Sequence, residues 1–130
     1  IIIHDAARPI VTEVTIRELL TLATVHDGAI PVLPMKDTVY FSEDGQRITS
    51  LLERKSVYAG QAPESFRFGK YYDANKSLLP NKIFGINGST EPAILAGLDI
   101  AMIAGDENNF KITTKQDLQR FERMIGEDKH

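Results

Sequence analysis

Three β-branched residues open the chain, Ile1-Ile2-Ile3, and the run stops at once on His4 and Asp5. No polar residue alternates within it, which predicts a strand buried on both faces of a sheet. Pro9 then closes off further regular extension. This stretch constrains the fold most, because ligands of open α/β sheets bind in the crevice beyond the carboxyl ends of the strands. An acid at that position has two readings. Asp5 either serves a ligand, or it caps a turn and pairs with Arg8.

The following residues continue an α/β pattern. Thr12 or Thr15 is suited to cap a helix, with Glu13 and Glu18 near its positive end. Ile16, Leu19, Leu20 and Ala23 keep the spacing of one buried helical face, and Gly28 is expected to end the helix in a left-handed cap. Ala29–Pro34 reads as a short strand whose prolines point to a sheet edge or a strand end. Strand, helix and strand together predict a right-handed crossover. His26 receives no role.

Two β-rich runs, Thr38–Phe41 and Arg47–Leu51, flank Asp44-Gly45 and predict a hairpin. A two-stranded ribbon is marginal alone, so it needs a partner surface. Val57–Gln61 reads as a strand leading into the turn at Ala62-Pro63-Glu64, and Phe68–Leu78 as a helix with Tyr71, Tyr72 and Ala74 inward. Ser89 or Thr90 caps a further helix with Pro92 in its first turn and Gly97 at its close. Ile100–Gly105 is a buried strand. Thr114 and Asp117 resemble a capping box, and Leu118, Phe121 and Ile125 mark the buried side of a last helix ended by Gly126. The tail through His130 is expected to be disordered.

Composition narrows the function classes. At 130 residues the chain is one domain's worth, and a net charge of −3 gives no basic footprint for nucleic acid or an anionic membrane. There is no cysteine, hence no disulfide, thiolate metal site or cysteine nucleophile, which suits a cytoplasmic setting. No apolar run approaches the roughly 18 residues of a membrane span.

His4-Asp5-Ala6-Ala7-Arg8-Pro9 resembles a signature of the cytidylyltransferases that act on 2-C-methyl-D-erythritol 4-phosphate or, in a sister group, ribitol 5-phosphate. Asp37-Thr38, Arg54, Gln61–Arg67 and Asn109–Thr114 follow in the same order. The resemblance implies a partial, Rossmann-like nucleotidyltransferase core, a single domain over residues 1–130, with a β-hairpin dimerisation arm at about 37–54. It implies CTP and a sugar or polyol phosphate as substrates, Mg²⁺ as cofactor and a homodimer formed through the arm. Asp5 would hold Mg²⁺ directly or through water, and Lys111 would lie over the α-phosphate of CTP. Arg54 and Thr38 would reach the neighbouring subunit's acceptor. Arg8 would shape its loop or touch nucleotide, and Thr113 would bond substrate or serve structure.

Two segments depart from the family's pattern. Ala62-Pro63-Glu64 stands where Thr-Pro-Gln is usual, and Asn87–Glu91 differs from the usual Thr-Asp-Asp/Glu-Ala. The Gly-rich loop that cradles CTP in the family is not within these residues, so the chain corresponds to a C-terminal part. The expected function is therefore cytidylyl transfer to 2-C-methyl-D-erythritol 4-phosphate, in isoprenoid precursor synthesis, with ribitol 5-phosphate or another polyol phosphate as the alternative acceptor. A reading of another class is a dimerisation and substrate-binding fragment, inactive alone.

Overall fold

A computed structural model describes residues 1–127; the expectation for the tail at His130 lies outside the described residues. Its centre is β2 (Gly28–Pro34), which pairs along both edges. On one side β7 (Ile100–Ala104) runs parallel to it, Gly28 opposite Ile100 through Val32 opposite Ala104. On the other side lie β6 (Glu64–Phe66) and β5 (Tyr58–Gly60), both antiparallel to β2. β1 (Ile2–Ile3) pairs antiparallel with β6. The sheet is therefore mixed, and β1 and β2 run the same way with β6 between them.

Two sequence expectations are corrected here. The opening run is not buried on both faces: Ile2 and Ile3 are half-buried on a sheet edge and Ile1 is exposed. Nor is Ala29–Pro34 an edge, although Pro34 does mark the strand's end. Pro31 is fully buried in the central strand, and its carbonyl accepts from Gln61 N at 2.8 Å. A residue's N and O point to the same side of a strand. Pro31 therefore aims its missing donor at Gln61–Pro63, the irregular stretch between β5 and β6, where no ladder bond is lost.

Helix α1 (Glu13–Leu22) is capped by Thr12, whose Oγ1 accepts from Thr15 N at 3.3 Å. Leu19 is wholly buried and meets Ala29 and Ile103 in the core, whereas Leu20 is exposed, so the buried face is narrower than its spacing suggests. Gly28 is not the helix's left-handed cap; it starts β2 in close approach to Ser65 and Phe66. Asp27 ties this corner together, accepting from Lys70 Nζ at 2.6 Å and Asp99 N at 2.9 Å. The Lys70 bond holds its carboxyl below the usual range. His26 pairs with Asp99 at 2.7 Å.

Helix α2 (Phe68–Lys76) puts Tyr71 flat on Phe66, ring centroids 4.1 Å apart, and buries Ala74. Tyr72 is exposed on the outer face with Phe68, contrary to expectation. Helix α3 (Glu91–Leu95) has Pro92 in its first turn and ends near Gly97, which takes φ +72°. Helix α4 (Lys115–Glu127) starts at the expected reciprocal cap: Thr114 Oγ1 accepts from Asp117 N at 3.1 Å, and Asp117 Oδ2 from Thr114 N at 3.0 Å. Its inner side is Phe121 and Met124; Leu118 and Ile125 are exposed, and Gly126 lies within the helix.

The hairpin forms a second sheet of its own. β3 (Val39–Phe41) pairs with β4 (Ser50–Leu52), Tyr40 opposite Leu51. Gly45 takes φ +71° at the tip. Arg47 and Ile48, expected in the second strand, belong to the connection because Asp44 Oδ1 captures the amides of Gln46 and Arg47, each at 2.9 Å. The ribbon leaves Tyr40, Phe41 and Leu51 exposed, the last at 66%. Among the described residues no helix is long and apolar enough to cross a membrane.

Candidate functional site

The loop after β1 forms one wall of the site. Arg8 N donates to Asp5 O at 3.0 Å, and His4 Nε2 lies 2.8 Å from Arg8 O, so residues 4–8 fold back as a turn. The Arg8 guanidinium spans two segments: Nε donates to Asp5 Oδ2 at 3.2 Å and Nη1 to Asn109 O at 2.7 Å. Ile112 N donates to Ala7 O at 2.8 Å, docking the segment before α4 against this turn. That docking brings Lys111 Nζ to 3.9 Å from Asp5 Oδ2. The two readings of Asp5 thus coexist: it pairs with Arg8 and also faces a cavity of about 340 Å³ bordered by Arg8 and Lys111.

The opposite wall comes from β6. Ser65 turns toward α1, its hydroxyl donating to Leu19 O at 2.9 Å. Alternation along the strand therefore turns Glu64 to the other face, into the same cavity. Its side chain accepts from Ser89 Oγ at 2.5 Å and Thr90 Oγ1 at 3.3 Å. Ser89 and Thr90, expected as helix caps, spend their hydroxyls on this carboxylate, and Thr90 makes no side-chain cap bond. Burial pushes the Glu64 carboxyl above its ordinary value of 4.5, the two hydroxyls oppose the rise, and the Asp5 charge adds to it.

The remaining candidates sit elsewhere. Arg54 begins a 3₁₀ turn at the base of the hairpin and donates from Nη1 to Lys36 O at 2.9 Å. Thr38 is exposed just before β3. Neither borders the Asp5 cavity. Lys36 pairs with Glu107, on the rim of an adjoining cavity of about 420 Å³ that Arg8 and Lys111 also line. In that cavity Arg120 lies 3.9 Å over the Phe110 ring. Thr113 is exposed, and its hydroxyl donates to Asp117 Oδ2 at 3.2 Å as part of the α4 cap. The structure therefore gathers Asp5, Arg8 and Lys111, and leaves Thr38, Arg54 and Thr113 apart from them.

The sequence matches, over residues 1–127, the model of the family described as IspD: 2-C-methyl-D-erythritol 4-phosphate cytidylyltransferase. The chain belongs to this family. It is 36% identical over 129 residues to a Granulibacter bethesdensis protein named "Bifunctional enzyme IspD/IspF", covering 97% of this chain and 32% of that one. A Geobacter metallireducens 2-C-methyl-D-erythritol 4-phosphate cytidylyltransferase is 35% identical over 130 residues, covering 98% of this chain and 54% of that one. The crystal structure of a 2-C-methyl-D-erythritol 4-phosphate cytidylyltransferase from Thermus thermophilus superposes with a TM-score of 0.78 at 27% identity, covering 95% of this chain and 60% of that one. The chain thus spans about half the length of its single-function relative and about a third of the bifunctional one. Its mixed α/β core is that of the cytidylyltransferase neighbours.

Three residues at or beside this cavity received no site role from the sequence. Gln61 is buried and clasps the end of β7: Nε2 donates to Asp106 O at 2.9 Å and Oε1 accepts from Asp106 N at 3.1 Å. Glu64 was visible as a departure from the family pattern, and Ser89 as part of another departure and as a candidate helix cap. The signal was there in Glu64, an acid set between Pro63 and Ser65-Phe66 in a stretch otherwise suited to burial. One pH effect follows. The raised Glu64 carboxyl binds its proton more tightly folded than unfolded, so its contribution to stability falls as pH rises above the ordinary value. Thermal melts across pH 4–8 check this: the melting temperature of Glu64→Gln, relative to the parent, should climb as pH rises. A pH-independent difference would contradict it.

Among the described residues no group of three or more His, Cys, Asp or Glu forms a metal cage. Asp5 alone, its side chain 43% exposed, suits an ion that keeps several waters and is shared with substrate phosphates, which is the habit of Mg²⁺.

Proposed function

We propose that the intact protein transfers the cytidylyl group of CTP to 2-C-methyl-D-erythritol 4-phosphate, releasing pyrophosphate. Family membership supports the reaction class, and one observation carries the site: Asp5, Arg8 and Lys111 converge on a single cavity. In such a transfer a phosphate oxygen of the acceptor attacks the α-phosphorus of CTP and pyrophosphate leaves. The protein's task is to align two anions and offset the charge that builds between them. Lys111, a half-exposed ammonium standing 3.9 Å from Asp5, approaches the α-phosphate as a point charge. Arg8 fixes the turn and offers its guanidinium to the same space. Asp5 is the residue that would hold Mg²⁺, which would supply further charge neutralisation.

The acceptor's phosphate would be gripped by Arg54 and Thr38 of a second copy, reached across a homodimer through the hairpin. The exposed apolar side chains of Tyr40, Phe41 and Leu51 favour that pairing, since a lone ribbon buries too little to be stable. Heterodimers carrying Arg54→Ala in one subunit and Asp5→Ala in the other should regain part of the activity that each homodimer loses. No recovery in verified heterodimers would count against a shared site. Thr113 is proposed to bond substrate, its hydroxyl being held at the α4 cap by Asp117.

Pyrophosphate release from CTP by the intact protein, across a panel of polyol phosphates, tests the reaction. The highest kcat/KM is expected with 2-C-methyl-D-erythritol 4-phosphate. A higher value with ribitol 5-phosphate would assign the chain to the sister activity, an alternative that the departures at Ala62 and Asn87–Glu91 leave open. No release with any acceptor would overturn cytidylyl transfer.

A further inference from the structure

Glu64 is out of character for its position. A central-sheet residue only 8% exposed would ordinarily be apolar, because a buried carboxylate loses its hydration. Here it is retained, on the wall of the cavity that holds Asp5 and Lys111. Two hydroxyls, from Ser89 at 2.5 Å and Thr90 at 3.3 Å, fix it without neutralising it. No Lys or Arg pairs with it among the described residues' ion pairs; the Arg8 and Lys111 pairs go to Asp5. The cavity is therefore asymmetric, with Arg8 and Lys111 around Asp5 on one wall and, on the other, a carboxyl held by Ser89 and Thr90 with no cationic partner among the described residues' ion pairs.

We propose that Glu64 selects and orients the acceptor: its fixed carboxylate receives hydroxyl groups of a polyol phosphate and turns the phosphate end away from itself, toward the Lys111 side of the cavity, where Arg54 and Thr38 of the second copy would reach it. An ionised carboxylate only accepts hydrogen bonds, and it has about four lone-pair sites, of which Ser89 and Thr90 use two. A substrate hydroxyl can donate to the rest, as a charge-assisted bond of roughly twice ordinary strength. A phosphate cannot donate there and meets like charge. The class of ligand is a neutral polyhydroxyl chain with the phosphate at its far end. Ser89 and Thr90 act through Glu64 as positioning residues. The two departures from the family pattern thus form one hydrogen-bonded unit.

This assignment rests on the cytidylyltransferase reading, and a thermodynamic cycle separates the two. The parent protein and Glu64→Gln are each assayed with 2-C-methyl-D-erythritol 4-phosphate and with analogues lacking one hydroxyl at a time. In Glu64→Gln the KM for the acceptor should rise about tenfold while the KM for CTP stays within about twofold. For one deoxy analogue the effect of the substitution should vanish, since the bond has already been removed. Additive losses with every analogue, or an equal rise in both KM values, would reduce Glu64 to a structural tie and overturn the proposal. If the parent protein turns over no polyol phosphate, the reaction reading falls and takes this one with it. Should Glu64→Gln fail to fold, Ser89→Ala keeps the carboxylate and removes its 2.5 Å donor. Its acceptor KM should then rise about threefold, and an unchanged value would overturn the proposal.

Discussion

Replacing Lys111 by Ala should lower kcat by about two to three orders of magnitude, the usual loss when a group aimed at developing transition-state charge is removed. The geometry explains why the loss should fall on kcat. Lys111 Nζ stands 3.9 Å from Asp5 Oδ2, a distance at which the ammonium is oriented by the carboxylate yet not consumed by it. Its position follows from the Ile112–Ala7 backbone bond and the Arg8–Asn109 bond, neither of which uses the Lys111 side chain. Stability should therefore hardly move, since the side chain is half exposed. Steady-state kinetics alongside a thermal melt separates the two effects. A variant with parental kcat would remove Lys111 from the reaction, and one that unfolds would make it a structural residue.

The largest expected loss of stability belongs to Gly28→Ala. A Cβ at this position would stand 2.4 Å from Ser65 O and 2.9 Å from Phe66 Cδ1. The first of these is backbone in the adjacent strand β6, so it cannot swing aside as a flexible side chain would. Relief requires β2 and β6 to separate, and β6 also carries Glu64 and pairs with β1 before the Asp5 turn. Overpacking of this kind costs about 1–3 kcal/mol. Chemical denaturation should show a lower midpoint at an unchanged slope, and activity should fall with it because the β6 wall of the cavity shifts. A parental midpoint would mean that the strands do not approach as closely as the register of Gly28 on Phe66 requires.

Gly28 also illustrates where the sequence could be read and where it could not. Its place after a helical run suggested a positive φ, whereas the real constraint is Ser65, distant in sequence and close in space only once the sheet has formed. Several local signals held: the Thr12 cap, the Thr114–Asp117 cap, the helix end at Gly97 and the hairpin tip at Gly45 each depend on residues a few positions apart, whereas the cap expected of Ser89 or Thr90 and the stop expected of Gly126 did not form. Strand neighbours were harder. Pro31 suggested an edge, yet a central strand accommodates it because the opposing chain is irregular at Gln61–Pro63. The opening isoleucines suggested burial on both faces, and lie at an edge of the described sheet.

The site divides in the same way. Asp5, Arg8 and Lys111 were legible as motif residues, and the fold brings them together. Glu64 was legible as a mismatch and Ser89 as a helix cap, but not as partners, because the bond joining them spans 25 positions and appears in no local pattern. Gln61 was legible as part of the matching Gln61–Arg67 segment, but its clasp on Asp106 spans 45 positions and has no local signature.

The most direct test of cytidylyl transfer at this site is identification of the product formed by the intact protein from CTP and 2-C-methyl-D-erythritol 4-phosphate. Mass spectrometry should find a CMP unit joined to the polyol through a diphosphate, in one-to-one ratio with pyrophosphate, and absent when Lys111 is Ala. Pyrophosphate without that adduct, or the adduct formed equally well by Lys111→Ala, would contradict the assignment of this cavity.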